Sequence, residues 1–199
     1  MKISAVITDN ASTMTAAWRI LKQEYKHIIF MGCTAHGLNL LVGDIMQLDW
    51  AMKIFSNAKK IVKFFKKHTI PGAILKRHQT TIYNKKIGLK LPVKTRWGSA
   101  AICMESLLES KLALNLATME IIHQPNIRMN VEIQNVILDQ IFWENLEVLF
   151  QILNEFVIGI RYFESDIPRL SEFYSWYKKS IGKISMFIFK KKTFLIFFK

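Results

Sequence analysis

The first candidate for a functional residue in this sequence is an aspartate that follows a short apolar run. Ala5, Val6 and Ile7 are typical of a buried strand, and Asp9 comes almost directly after it, ahead of a segment with helical spacing. Open α/β sheets place their ligands beyond the carboxyl ends of their strands. A carboxylate at such a position can bind a divalent metal ion, which prefers oxygen ligands. Alternatively, it can cap the next helix by accepting hydrogen bonds from free N–H groups.

Cys33 and His36 form a second candidate group, because their spacing is that of two zinc ligands. A structural zinc ion needs four ligands. No second pair with finger spacing follows, since His68 and His78 are ten residues apart in a basic stretch. We therefore expect neither a zinc site nor a cysteine–histidine nucleophile here. The alternative is that His36 is a half-buried residue packed against a strand end.

The third candidate group is Arg96 and Trp97, in the segment LPVKTRWGS. A guanidinium can bind a phosphate through two parallel hydrogen bonds, and an indole can stack on an unpaired base for about 1–3 kcal/mol. Alternatively, Trp97 is a core residue that anchors a helix capped by Ser99. The other tryptophans recur at helical spacing among apolar residues and are predicted to be core residues: Trp18, Trp50, Trp143 and Trp176.

The positive charge of the chain is concentrated in one stretch. The net charge is +13, and no Asp or Glu occurs between Trp50 and Met104. A solvated helix face normally mixes both signs, whereas a segregated basic block indicates a polyanion partner, with nucleic acid as the first candidate. The same stretch holds thirteen cations, as many as the whole excess: Lys53, Lys59, Lys60, Lys63, Lys66, Lys67, Lys76, Arg77, Lys85, Lys86, Lys90, Lys94 and Arg96.

The composition indicates a folded chain. Of 199 residues, 51% are hydrophobic and 12% are aromatic, which is enough for the packed core of one domain with room for a small second lobe. The two cysteines, Cys33 and Cys103, do not form a disulfide framework and fit a reducing compartment. No signal peptide is evident, because Met1 leads directly into the strand-like run.

Apolar periodicity predicts short strands first and helices after them. Residues 5–8 and 27–33 are predicted strands on either side of a helix, which Asn10 or Ser12 caps and which continues to Tyr25. The short connections indicate a parallel strand–helix–strand unit. With only two strands, the chain is expected to be marginally stable on its own.

From Leu38 a continuous apolar seam predicts one helix to about Lys67. Pro71 and Gly72 are expected to end it, and residues 72–97 to form a loop-rich basic connector. Further helices and one turn are predicted from the remaining pattern, namely a helix from Ser99 through Met119, a turn at His123–Asn130, a helical stretch at Val131–Phe163 and a short helix around Phe173–Ile181.

The C-terminal segment, SMFIFKKKTFLIFFK, has two short apolar runs separated by Lys190, Lys191 and Lys192. A membrane span needs roughly twenty continuous apolar residues, so we expect no span here. The segment is typical of an aggregation-prone strand or of the altered end of a gene product.

Three motifs, ITDNASTM, CTAHGLNLL and LPVKTRWGS, resemble in type and order those of the hAT (hobo/Activator) transposase superfamily, including the domain of unknown function often found beside BED zinc fingers. The resemblance covers about residues 3 to 175. It implies a ribonuclease H-like fold in which two aspartates and a glutamate hold divalent metal ions, usually Mg²⁺. Two such ions about 4 Å apart activate the attacking oxygen and stabilise the leaving one in DNA cleavage and strand transfer.

By this resemblance Asp9 is a catalytic aspartate and metal ligand, and His36 lies beside the active site, where it can contact DNA. Arg96 and Trp97 match an arginine–tryptophan pair that engages the DNA end, and Lys94 is grouped with them. From the charge pattern, the predicted DNA-binding residues also include lysines of the basic helix: Lys59, Lys60, Lys63, Lys66 and Lys67.

Two members of the implied metal-binding trio have no counterpart in this sequence. The family's first aspartate lies on a strand upstream of the ITDN motif, and its glutamate lies beyond the helical insertion. Glu144, Glu147 and Glu155 are predicted to be surface residues of helices in that insertion. We therefore predict that this polypeptide alone neither holds Mg²⁺ stably nor cleaves or joins DNA.

The sequence thus predicts a predominantly helical α/β fold in three parts. These are a partial ribonuclease H-like core with short parallel strands at residues 1–49, a basic helical insertion domain at 50–180 and an atypical apolar and lysine-rich tail at 181–199. The predicted function is that of a DNA-binding fragment of a hAT-type transposase, nuclear by resemblance. The alternative is a helical interaction or dimerisation module, with homo-oligomers as its assemblies. We expect no membrane partner and no small-molecule substrate.

Overall fold

The computed structural model describes residues 3–93, 97–164 and 169–190, except for the side chains of Trp97, Leu170 and residues 187–190. Within these ranges the chain is predominantly helical with two short strands, as predicted. The elements are β1 Ala5–Thr8, α1 Ser12–Glu24, β2 Ile29–Gly32, α2 Thr34–Gln47, α3 Asp49–Lys67, α4 Thr69–Tyr83, α5 Trp97–Glu109, α6 Lys111–Ile122, α7 Val131–Leu138, α8 Gln140–Phe163 and α9 Leu170–Lys190.

The two strands pair in parallel on either side of α1. Ala5 lies opposite Ile29, and Thr8 lies opposite Gly32. This confirms the predicted strand–helix–strand unit. Because the strands are parallel and in register at their ends, the chain leaves both of them at the same edge of the sheet.

The start of α1 differs from the prediction. Its N-cap is Ala11, which makes no side-chain capping bond, so neither Asn10 nor Ser12 caps the helix. The Asn10 amide instead occupies the space beside Gly32, where an added Cβ would lie 1.9 Å from the amide oxygen. A side chain at the end of β2 would therefore have to displace the exposed Asn10 amide from the strand tips.

The predicted single helix from Leu38 to Lys67 is two helices, because the chain bends at Leu48. This residue has extended backbone angles, φ −63° and ψ 135°, and separates α2 from α3. The bend lets the two helices take different neighbours: α2 packs mainly against α8, whereas α3 packs against α4, α5, α7 and α8. The apolar seam continues across the bend, so periodicity does not reveal it.

The prediction that Pro71 and Gly72 begin a loop was wrong. His68 is the extended residue that ends α3, and α4 begins immediately after it. Pro71 is the third residue of α4, where the backbone N–H would have no intrahelical partner in any case. Only the part from Asn84, which ends α4 in the left-handed conformation with φ 53°, is an irregular connector.

Short breaks also divide the other long predicted helices. Ser110 separates α5 from α6, and Asp139 separates α7 from α8. Ser99 is the third residue of α5 and so does not cap it. The predicted turn at residues 123–130 is confirmed. The final helix is longer than predicted, since α9 continues to Lys190 and makes the start of the tail helical rather than a strand.

α8 is the central helix of the hydrophobic core. α2 and α5 pack along it, and Val42, Leu107 and Leu149 are fully buried in the shared cluster. The first turns of α2 and α5 lie beside the last turn of α8. At the other end of α8, Trp143 lies in the first turn, and the ammonium of Lys111, just after the end of α5, lies 5.7 Å from its ring centre. Both helices therefore run antiparallel to α8.

The tryptophans predicted as core differ in burial. Trp143 is 2% exposed, and its Nε1 donates a hydrogen bond to the Ile137 carbonyl at 2.7 Å. Trp18, Trp50 and Trp176 are only half-buried. Trp50 and Trp176 pack against the core cluster, whereas Trp18 lies on α1, which has no buried residue. The core cluster includes residues of α2 and α3, so it continues across the proposed boundary at residue 49, which stays a prediction.

Of the helices within the described ranges, none combines the length and the apolar character needed to cross a membrane.

Candidate functional site

A cleft of about 1080 Å³ opens at the edge of the sheet where β1 and β2 end. The backbone N–H of Cys33 donates to the Thr8 carbonyl at 2.7 Å and holds the two strand tips together. The residues after both strands, the first turns of α2 and α5, and the last two turns of α8 line this cleft. It is the position where parallel α/β sheets place their ligands.

Asp9 lies at the mouth of the cleft and is exposed. Its Oδ1 accepts a hydrogen bond from the backbone N–H of Ala11 at 3.2 Å. This contact stabilises the turn before α1. It agrees in part with the alternative role of Asp9 as a helix cap, because Asp9 binds the N–H of Ala11, the N-cap residue itself. The contact uses one carboxylate oxygen, and within the described ranges the second oxygen accepts no hydrogen bond, so Asp9 can still serve a ligand.

Cys33 and His36 lie on the neighbouring wall. Cys33 is the N-cap of α2, and His36 is the third residue of that helix. Both are half-buried and line the cleft together with Asn39, one turn further along α2. The helix dipole places positive partial charge at this end of α2. The strand tips thus bring together the first two motifs, as the strand–helix–strand prediction required.

The third motif reaches the same cleft. Val93, Gly98 and Ser99 line it, and the Ser99 hydroxyl accepts from the Val93 N–H at 2.8 Å and donates to the Val93 carbonyl at 3.1 Å. Lys94 and Arg96 lie outside the described residues, as does the side chain of Trp97, so their predicted roles in DNA binding stay predictions.

Two cleft residues were missed in the sequence because they come from the far end of the chain. Arg161 and Glu164, at the end of α8, line the cleft together with the residues that follow the strands. Both are exposed, and within the described ranges Arg161 has no carboxylate within 4 Å. Arg161 follows a long apolar stretch and belongs to no motif, so only the packing of α8 against α2 reveals it.

The described side chains do not assemble a two-metal centre. Asp9 and Glu164 supply the carboxylates on the described walls of the cleft. Across residues 3–93, 97–164 and 169–190, no three His, Cys, Asp or Glu side chains are grouped so as to hold one metal ion. A pair of Mg²⁺ ions requires several carboxylate oxygens at close range, so these residues do not fit the metal pair that the resemblance implies.

The lysines of α3 form a separate surface and do not line the cleft. Lys60 is bonded to Glu132 at 2.5 Å, and Lys59 lies 4.9 Å from the ring centre of Phe55. Lys63, Lys66 and Lys67 are exposed, and in the part of the chain that the structure describes they have no carboxylate within 4 Å.

One basic residue of α4 is neutralised by an acidic residue of α6. Arg77 donates to Glu120, which also bonds His78 Nε2 at 2.9 Å. The hydrogen bond from Arg77 is the main cause that lowers the pKa of Glu120 below its usual value. This group ties α4 to α6, so Arg77 is less available to a polyanion than the lysines of α3.

Residues 1–61 match a known protein family. Its description reads "Domain of unknown function (DUF659)". The family is found in proteins related to hAT-like transposases. The match extends from β1 into α3 and includes Asp9, Cys33 and His36, and so the first two motifs. No match was found among curated proteins or among solved structures.

Proposed function

We propose that this chain is a DNA-binding domain related to hAT-type transposases, with a partial ribonuclease H-like unit formed by β1, α1 and β2. The observation that carries the proposal is the meeting of the three motifs. Asp9, His36 and Ser99 are separated by 27 and 63 residues in the sequence, yet they line one cleft. The family match over residues 1–61 supports the same relationship.

Binding to DNA is assigned first to the exposed lysines of α3. Lys63, Lys66 and Lys67 lie on one helix without carboxylate neighbours in the described ranges. Contacts of this kind release counterions from DNA, so affinity falls steeply as salt rises. They bind phosphates rather than bases, so little sequence selectivity follows.

The proposed activity does not include cleavage or joining of DNA. The described carboxylates do not fit a two-metal centre. We expect no Mg²⁺-dependent strand cleavage by the purified chain. Cleavage that requires Mg²⁺ and that disappears in Asp9→Ala would overturn this part of the proposal.

The DNA-binding proposal is tested by fluorescence anisotropy with a labelled duplex of about 20 base pairs between about 50 and 200 mM salt. Replacing Lys63, Lys66 and Lys67 with Gln should make the slope of log affinity against log salt shallower by about 2–3. The matched control changes the exposed Lys22, Lys178 and Lys179 to Gln, which removes the same charge elsewhere. No binding by the wild type, or equal losses in the two variants, would contradict the proposal.

A second candidate function, a dimerisation module, is favoured by the outer face of α6. Leu112, Leu116 and Met119 lie one turn apart on this helix and are 52%, 42% and 47% exposed. A second copy that packs the same stripe would bury it. Analytical ultracentrifugation should then show a dimer that persists in high salt and is lost in Leu116→Glu but kept in Ile20→Glu. A monomer at all salt concentrations would exclude this function.

A further inference from the structure

The basic connector after α4 is fastened to the protein by buried side chains. The Gln79 amide accepts from the backbone N–H of Ile87 at 3.1 Å and donates to the Ile87 carbonyl at 2.9 Å. The same amide donates to the Ser110 hydroxyl at 3.0 Å. Gln79 and Ser110 are both fully buried. The start of the connector is therefore held in place from inside the molecule.

Two serines of α5 hold the rest of the connector. The backbone N–H of Lys90 donates to the Ser106 hydroxyl at 3.1 Å, and Val93 is bonded through both its N–H and its carbonyl to Ser99. As the connector advances from Lys90 to Val93, its contacts move back along α5 from Ser106 to Ser99. The described part of the connector thus runs antiparallel to α5 and reaches the cleft at Val93.

This fastened segment presents a row of cations. Lys85, Lys86 and Lys90 are exposed, and in the described part of the chain none of them has a carboxylate within 4 Å. The backbone N–H of Lys90 is the bonded group, so its ammonium remains available to a ligand. The stretch of α5 from Ser99 to Ser106 that these contacts cover is about 10 Å long at 1.5 Å per residue. That length corresponds to about three base pairs of B-form DNA.

We propose that residues 84–93 form a track for a DNA phosphate backbone, which leads the end of the DNA into the cleft at the strand tips. Lys85, Lys86 and Lys90 contact successive phosphates, and Arg161 meets the terminal phosphates inside the cleft. The inference rests on the proposed DNA binding. It adds a second DNA-binding surface, separate from the lysines of α3, and states that the DNA runs along this surface towards the cleft.

The test uses the full chain and a DNA duplex with a photoreactive base either at its end or at its centre. In one variant Lys85, Lys86 and Lys90 are replaced with Gln, and the Lys22, Lys178 and Lys179 triple serves as the control. We expect the track variant to lose roughly tenfold or more in affinity at about 0.1 M salt, with a salt slope shallower by about 2–3. The terminal base should crosslink to residues of the cleft, as identified by mass spectrometry.

The outcomes separate this inference from the proposed function. If the wild type does not bind DNA, both fail. If it binds, and the track variant matches the control while the α3 variant is weakened, the track is wrong and the proposed function stands. Crosslinks from the terminal base to α3 or α9 alone would also overturn the track. A weakened track variant with terminal crosslinks in the cleft supports it. The lysines are exposed, so their replacement leaves the fold intact.

Discussion

Cys103 shows how burial changes the chemistry of a residue. It is fully buried in the middle of α5, and burial raises the pKa of its thiol to about 11. In the unfolded chain a thiol ionises at about 8.5. At a pH between these two pKa values, the thiol of the unfolded chain has lost its proton, whereas the thiol of the folded chain keeps it. The free energy of unfolding should therefore fall as pH rises from about 8.5 to 11, by about 3 kcal/mol in total.

Urea denaturation at about pH 8 and pH 10.5 measures this loss. Lysines also titrate in alkali, so the informative quantity is the difference between the wild type and Cys103→Ala. The variant is less stable at pH 8 because it leaves a cavity, but it should lose less further stability at high pH. Equal losses in both proteins would show that the thiol is not responsible.

Gln79 is the residue on which the position of the connector depends most. Gln79→Ala removes partners from the Ile87 N–H and carbonyl and from the Ser110 hydroxyl. Buried groups without partners cost about 1–3 kcal/mol each, so we expect a loss of about 2–4 kcal/mol in the free energy of unfolding. Trypsin should also cut faster after Lys86 and Lys90. Gln47→Ala is the control, since Gln47 is exposed at the end of α2.

At the scale of single residues, the sequence identified only part of the cleft. Asp9 and His36 could be found because each follows a strand, and parallel strands bring their ends together. Arg161 and Glu164 could not, because their position depends on how α8 packs against α2 more than a hundred residues earlier. Local patterns carry no information about that contact.

Among the elements, the docking of α9 on α8 depends on one glycine. A Cβ added at Gly159 would lie 2.2 Å from two ring carbons of Trp176, and an indole is too rigid to move aside alone. Gly159→Ala should therefore displace α9 and lower the free energy of unfolding by about 1–3 kcal/mol. The fluorescence of the tryptophans should shift towards that of exposed indole.

Gly182→Ala is the matched control within α9 itself. Nothing lies within 4 Å of a Cβ at this position, and alanine favours a helix over glycine by roughly 0.5–1 kcal/mol. This variant should be as stable as the wild type or slightly more stable. If both alanine variants behave alike in thermal denaturation, close packing at Gly159 is not what holds α9.

Element boundaries were harder to predict than element types. The break at Asp139 was not predicted, although aspartate is a common helix N-cap and its Oδ1 accepts from the Ile141 N–H at 2.9 Å. Leu48 carries no such signal, because both helices beside it bury apolar residues in the same cluster. Pro71 misled because proline is usually a helix breaker, yet the first turn of a helix tolerates it.

For the molecule as a whole, stability is concentrated around α8 and is low in the strand–helix–strand unit. Ile7 and Ile29 are 54% and 62% exposed, and α1 has no fully buried residue. Two strands alone are marginally stable. We expect backbone amides of residues 5–32 to exchange with deuterium at least tenfold faster than those of Leu146–Leu153. Equal protection in both segments would contradict this.

The position of the cleft also has a consequence for protein synthesis. Asp9 and Cys33 line the cleft from the start of the chain, and Arg161 and Glu164 line it from the end of α8. On the ribosome the amino-terminal segment emerges first and can begin to fold early. Its strand tips nevertheless face solvent until translation has passed residue 164. A nascent chain therefore lacks the complete cleft, which forms only when the last turns of α8 have been translated.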